Sequence, residues 1–165
     1  MEKQITFINS STSPNLLRLL LGMFLIALVG VGVSVQAQES NPSNPDSLVV
    51  VVSTQNAINN LDKKQLIDIF MGRFKSFPNG DSVTPIDYFA GSSQRKAFYE
   101  LLVGKSERKI NAYWSRLLFS GRATPPEKAS SVPDIIQMMR EDVNVLAYIN
   151  ASKVTKEMKI VYRFE

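Results

Sequence analysis

The chain has 165 residues, 19 lysines and arginines against 15 aspartates and glutamates, a formal net charge of +4, and neither cysteine nor histidine. Without cysteine there are no disulfides, no thiolate metal sites and no lipoprotein-type anchor. Without histidine there is no Ser–His or Cys–His nucleophile, and the commonest metal ligand is missing. The positive excess is compatible with an anionic ligand but too small and too dispersed to point to nucleic acid.

The N-terminal segment reads as an address and not as part of a fold. Arg18 precedes an apolar run over residues 19–35, and Val35, Gln36 and Ala37 offer a cleavage site. This pattern predicts a secretory signal peptide over residues 1–37, hence a periplasmic protein. The run approaches the length of a membrane span, so an uncleaved signal anchor is the alternative. The polar stretch QESNPSNPDS that follows favours cleavage. Residues 38–47, rich in Ser, Asn and Pro, read as a flexible leader. Residues 48–165 suit one domain with one core.

Leu48 and the four valines after it predict a strand buried on both faces, as in an α/β sheet. A polar connection leads to a helix over residues 63–71. Asp62 and Gln65 have the spacing of a capping box, Leu61 and Leu66 that of a hydrophobic staple, and Gly72 supplies the left-handed stop. Leu66, Ile69 and Phe70 form its apolar face, with Asp68 on the polar side.

A turn at Pro78, Asn79, Gly80 and Asp81 precedes a short strand over residues 83–88, with Pro85 near its start. Gly91, Ser92 and Ser93 open a second helix, whose expected buried face is Ala97, Phe98, Leu101 and Leu102; Gly104 ends it. Ser106 is placed to cap a third helix with the stripe Ile110, Tyr113, Trp114, Leu117 and Leu118, ending at Gly121. Residues 123–128 read as an exposed loop. Ser131 caps a fourth helix, with Pro133 in its first turn. Strands follow over residues 143–149 and 159–164, the second with Ile160, Tyr162 and Phe164 on one face. The sum is an α/β layered domain with helices on a small sheet.

Gly91, Ser92, Ser93 and Gln94 lie at a helix start, where free peptide N–H groups and the dipole favour an anion. Arg95 and Lys96 stand in the first turn, where the dipole disfavours cations unless an anion is near. The plainer reading makes Ser92 or Ser93 a cap and both cations solvated. Trp114 at helical spacing reads as core. Tyr88 and Tyr148 either border a cleft or fill the core. Asp62, Asp68, Asp87 and Asp134 are candidates for paired-carboxylate hydrolysis only by default, and catalysis is not expected.

Taken in order, the β-branched strand, the helix ending IFMGR, the next strand, GSS at a helix start, Trp114 and the strand VLAYI resemble one family. They are similar to the second lobe of the substrate-binding proteins of phosphate ABC transporters, which are type II periplasmic binding proteins. The resemblance covers residues 48–149. It implies a single lobe of that fold: a small mixed sheet with helices packed on it. It also implies phosphate or another small oxyanion as ligand, a role in phosphate uptake, and an ABC permease or another envelope protein as partner.

The implied ligand residues are Gly91, Ser92, Ser93 and Gln94, with Arg95 assisting and Tyr88 beside them. The family's clamping Arg falls on Tyr88 and its Asp on Ala90, so the helix-start donors persist while the charged ligands do not. No cofactor is implied. A homodimer or a membrane protein would have to cover a site that one lobe leaves shallow. The alternative is a lobe that has lost its ligand and become a protein-interaction or sensory module.

Overall fold

The structure is a computed structural model of the chain, and it describes residues 47–164. The expected signal peptide and all of the leader except Ser47 lie outside the described residues. Among the described residues no helix is long and apolar enough to cross a membrane.

Strand β1 (Leu48–Ser53) is followed by helix α1 (Lys63–Phe70) and strand β2 (Thr84–Tyr88). Two helices come next, α2 (Ser93–Val103) and α3 (Glu107–Phe119), and then a short strand β3 (Glu127–Ala129). Helix α4 (Val132–Glu141), strand β4 (Val145–Asn150), a 3₁₀ turn (Ala151–Lys153) and strand β5 (Met158–Arg163) complete the order. The sheet runs β3-β2-β4-β1-β5. Strands β3, β2 and β4 are mutually parallel, and β1 is antiparallel to both β4 and β5. The result is the expected mixed α/β layer.

The β-branched run has the predicted burial, since all six residues of β1 are buried. Its pairing differs from the parallel pattern that such runs suggest. A strand covered on both faces needs apolar side chains throughout, whichever way its neighbours run, so the pattern reports burial and not direction. The core continues through Leu146, Ala147, Tyr148 and Ile149 of β4. Phe98 stacks on Tyr148 with ring centroids 3.7 Å apart, and Phe70 meets the edges of both rings. Those rings bind α1 and α2 to the centre of the sheet.

Helix α1 begins with the expected capping box: Gln65 N–H donates to Asp62 Oδ1 at 2.7 Å, and Asp62 N–H donates to Gln65 Oε1 at 2.8 Å. Asp68 is not on a polar face. It is buried, and Lys64 and Arg73 each reach it at 3.0 Å. Two cations on one carboxylate replace the water it gave up.

Residues 123–128 do not remain a loop. Pro126 is buried, and Glu127 and Lys128 enter β3, paired with Ile86 and Asp87 of β2. On α2, Ala97 and Leu101 face solvent while Arg95, Phe98, Tyr99 and Leu102 are buried. On α3, Ile110 and Trp114 carry the burial, and Leu118 is 54% exposed. Ser106 holds the cap position without a side-chain bond. In β5 the expected alternation is broken by a register shift opposite Val50 and Val51, which turns Val161 inward. The outer side of β5 is met by Leu61, whose N–H donates to Val161 O at 2.9 Å, and Lys159 of β5 reaches Asn56 O and Asn59 Oδ1.

Gly72 follows α1 with φ +70°, a conformation that costs an L side chain. A Cβ there would also sit 2.8 Å from Trp114 Cη2. Tyr113, next to that indole, donates from its hydroxyl to Met71 O at 2.7 Å, so α3 is keyed to the end of α1. Gly72→Ala is expected to cost about 2–4 kcal/mol, the sum of backbone strain and overpacking. Gly80→Ala, at φ +94° with nothing within 4 Å, should cost only the strain, about 1–2 kcal/mol. Urea unfolding of the two variants would check the difference.

Candidate functional site

The predicted ligand loop joins the end of β2 to the start of α2. Gly91 takes φ +91°, and Ser92 N–H donates to Phe89 O at 3.3 Å, closing the turn. Ser92 is the N-cap, its Oγ accepting from Arg95 N–H at 3.2 Å. Ser93 donates from its hydroxyl to Gln94 Oε1 at 3.1 Å. Among the described residues the peptide N–H groups of Ser93 and Gln94 have no acceptor. They are the orphan donors that any helix start leaves.

Two further predicted residues are engaged elsewhere. Gly91 N–H donates to Glu107 Oε1 at 2.8 Å. Arg95 is 3% exposed, and so not the solvated cation of the plainer reading. Its Nε lies 2.9 Å from Asp87 Oδ2 and its Nη1 2.7 Å from Glu107 Oε1. Tyr88 is buried, its ring edge-on to Tyr148 at 5.4 Å, and burial raises its pKa. The structure therefore brings Ser92, Ser93 and Gln94 together at the surface, with Arg95 directly beneath them and Tyr88 in the core.

The residue that organises this corner is Asp87, which sequence reasoning treated only as a default acid. Its side chain is fully buried. Oδ2 accepts from Arg95 Nε at 2.9 Å, from Lys128 Nζ at 2.8 Å and from the Tyr99 hydroxyl at 3.1 Å. Oδ1 accepts from the Tyr148 hydroxyl at 2.6 Å. Tyr148 Oη also accepts from Tyr88 N–H at 3.4 Å. Burial, and then the Asp87 charge, push both tyrosines far above the ordinary phenol range, so both hydroxyls remain donors. Burial opposes the Arg95 charge, but Asp87 and Glu107 outweigh it and raise the pKa.

The signal for Asp87 was an acid between Ile86 and Tyr88 in the strand VTPIDY. For Arg95 and Tyr99 it was their place with Phe98 and Leu102 at helical spacing.

With two acids and two cations, the set Asp87, Glu107, Arg95 and Lys128 is formally neutral. Arg95 and Lys128 also line an open cleft of about 260 Å³, together with Ala90, Asn111, Trp114 and Leu118. Among the described residues Trp114 Nε1, which is buried, has no hydrogen-bond partner. Among the described residues no cluster of acids is arranged to hold a metal ion.

Glu107 is held below the ordinary carboxylate range by the Gly91 N–H and then by Arg95. A carboxyl whose folded pKa lies below its unfolded value stabilises the fold above the unfolded pKa. That contribution is lost as the pH falls through the folded pKa. Asp68, Asp134 and Glu157 are depressed too, but a Glu107→Gln variant shares them with the parent. The variant is expected to unfold at lower urea than the parent at pH 7. The gap should close as the pH falls below about 4.

No protein-family model matches the chain, and no curated protein sequence does. Solved structures do match. An ABC-type phosphate transport receptor from Vibrio cholerae superposes with a TM-score of 0.55 at 19% identity, over 70% of this chain and 45% of that one. A phosphate ABC transporter substrate-binding protein with bound phosphate from Clostridium perfringens gives 0.55 at 18%, over 70% and 44%. PstS from Borrelia burgdorferi gives 0.51 at 16%, over 70% and 46%. The chain thus spans less than half the length of these proteins, and what it shares with that part of them is the fold.

Proposed function

We propose that this chain is an exported solute-binding lobe that takes phosphate or a similar small oxyanion at the start of α2, as part of phosphate uptake. The observation that carries the reading is the pair of unbonded peptide N–H groups of Ser93 and Gln94, at the positive end of an 11-residue helix. The Ser92 hydroxyl adds a donor, the Ser93 hydroxyl joins it by turning from Gln94 to the ligand, and the Gly91 turn lets the backbone approach the ligand closely. Arg95 acts from below as a fixed positive charge, and Tyr88 supports the floor. The bound phosphate of the Clostridium perfringens neighbour is consistent with this ligand class. An ABC permease, another envelope protein or a second copy of the chain would cover the site. No catalytic step is part of the reading.

The affinity should be weak. Arg–phosphate pairing is among the stronger polar contacts, and here the guanidinium is already engaged by two carboxylates. That same commitment favours the second reading, an interaction or sensory module that needs no ligand. The surface near the end of α3 offers Leu118 and Phe119, the latter 91% exposed, to such a partner.

Calorimetry against phosphate, with sulfate as control, separates the two. Saturable heat with a dissociation constant of about 1 mM is expected. Ser93→Pro removes one of the two N–H donors at a position where proline suits the helix. The preceding Ser92, at φ −72° and ψ 144°, already has the conformation proline requires. This variant should keep the parent's thermal stability and weaken phosphate binding about tenfold. Unchanged binding would remove the site, and no binding by the folded parent would leave the interaction module.

A further inference from the structure

The donors around Asp87 do not resemble an ordinary ion pair. Four of them converge on one carboxylate from three separate elements: a guanidinium and a phenol from α2, an ammonium from β3 and a phenol from β4, all within 3.1 Å. Three meet at Oδ2 and one at Oδ1, and no water is needed to complete the set. The ammonium and guanidinium carry no lone pair and can only donate, and both phenols spend their one proton on the carboxylate. Such a nest is selective for an anion. The acid that fills it hangs from β2 on a single methylene.

We propose that this nest is a carboxylate-binding site, and that the chain carries its own ligand for it in the Asp87 side chain. The lobe is therefore liganded internally at this position whether or not a solute is present outside. Arg95 belongs to both the nest and the loop above it, since its peptide N–H is capped by Ser92 while its guanidinium serves Asp87. The start of α2 is thus positioned by an anion that cannot dissociate. The inference does not rest on phosphate binding. With the Asp87 carboxylate removed, the ligand class that fits the nest is a small monocarboxylate such as formate, whose two oxygens match the pair that Asp87 presents.

The test is chemical rescue in the full chain. Asp87→Ala removes the carboxylate, leaving the buried Arg95 and the half-buried Lys128 without it and a cavity of about its size. Its melting temperature should fall well below the parent's. Formate should then raise it by roughly 4 °C when present in tenfold excess over its dissociation constant. Chloride at the same ionic strength should not. Asp87→Asn, in which the amide occupies the space, should be destabilised and gain nothing from formate.

Should Asp87→Ala not fold in chloride, refolding followed by near-ultraviolet circular dichroism becomes the readout, and a native signal recovered only in formate would support the proposal. It is overturned if formate acts equally on the parent and both variants, or if it rescues neither stability nor refolding. Ser93→Pro introduced with Asp87→Ala should leave the rescue intact. Loss of phosphate binding and loss of rescue are therefore separable results.

Discussion

A carboxylate taken out of water must find its donors inside the protein, and Asp87 draws on most of this fold to do so. Its position on β2 fixes where α2 can lie, because Arg95 and Tyr99 must both reach it. It sets the register of β3, because Lys128 must arrive beside it. It holds the ring of Tyr148, the residue on which Phe98 stacks. Removing one partner of a buried ion pair such as Asp87 with Arg95 typically costs about 3–5 kcal/mol, since the other is left charged and dry. The apolar core supplies the bulk of the driving force, but it is indifferent to small slips. The hydrogen-bonded acid is not.

Much of the architecture was legible from the chain because local signals agreed with the global fold. Asp62 with Gln65 announced the start of α1, and Gly72 and Gly104 announced ends, as their left-handed φ values require. The continuous valines announced a fully covered strand. β3 was not legible. Three residues after two prolines carry no period, and their strand state comes from pairing with β2 and from the Lys128–Asp87 contact. The face of α2 was misjudged for a related reason. Ala97 and Leu101 are apolar, whereas Arg95 is charged, and only a distant carboxylate makes burying the guanidinium favourable.

The candidate site divides in the same way. The capping role of Ser92 and the free helix-start donors follow from short-range geometry and could be read directly. The engagement of Gly91 by Glu107, sixteen residues further on, could not. The resemblance to phosphate-binding proteins also gains a physical basis. The glycine of IFMGR and the tryptophan of the third helix were separate marks in the sequence, and in the fold they touch: the glycine is small because the indole lies against it. Such a pair records packing at the joint between two helices. It therefore carries information on fold and very little on ligand, which is the part of the resemblance that the charged positions withhold.

The cover over β5 has a consequence for how another molecule can approach. An open sheet edge presents a row of unpaired peptide groups, and any extended segment can add to it with little regard for sequence. Here one edge is a strand of three residues, and the other is met at its middle by the backbone of Leu61. Both features shorten the template available for strand addition. A partner of this lobe therefore gains less from backbone pairing at the sheet edges and more from the chemistry of its side chains.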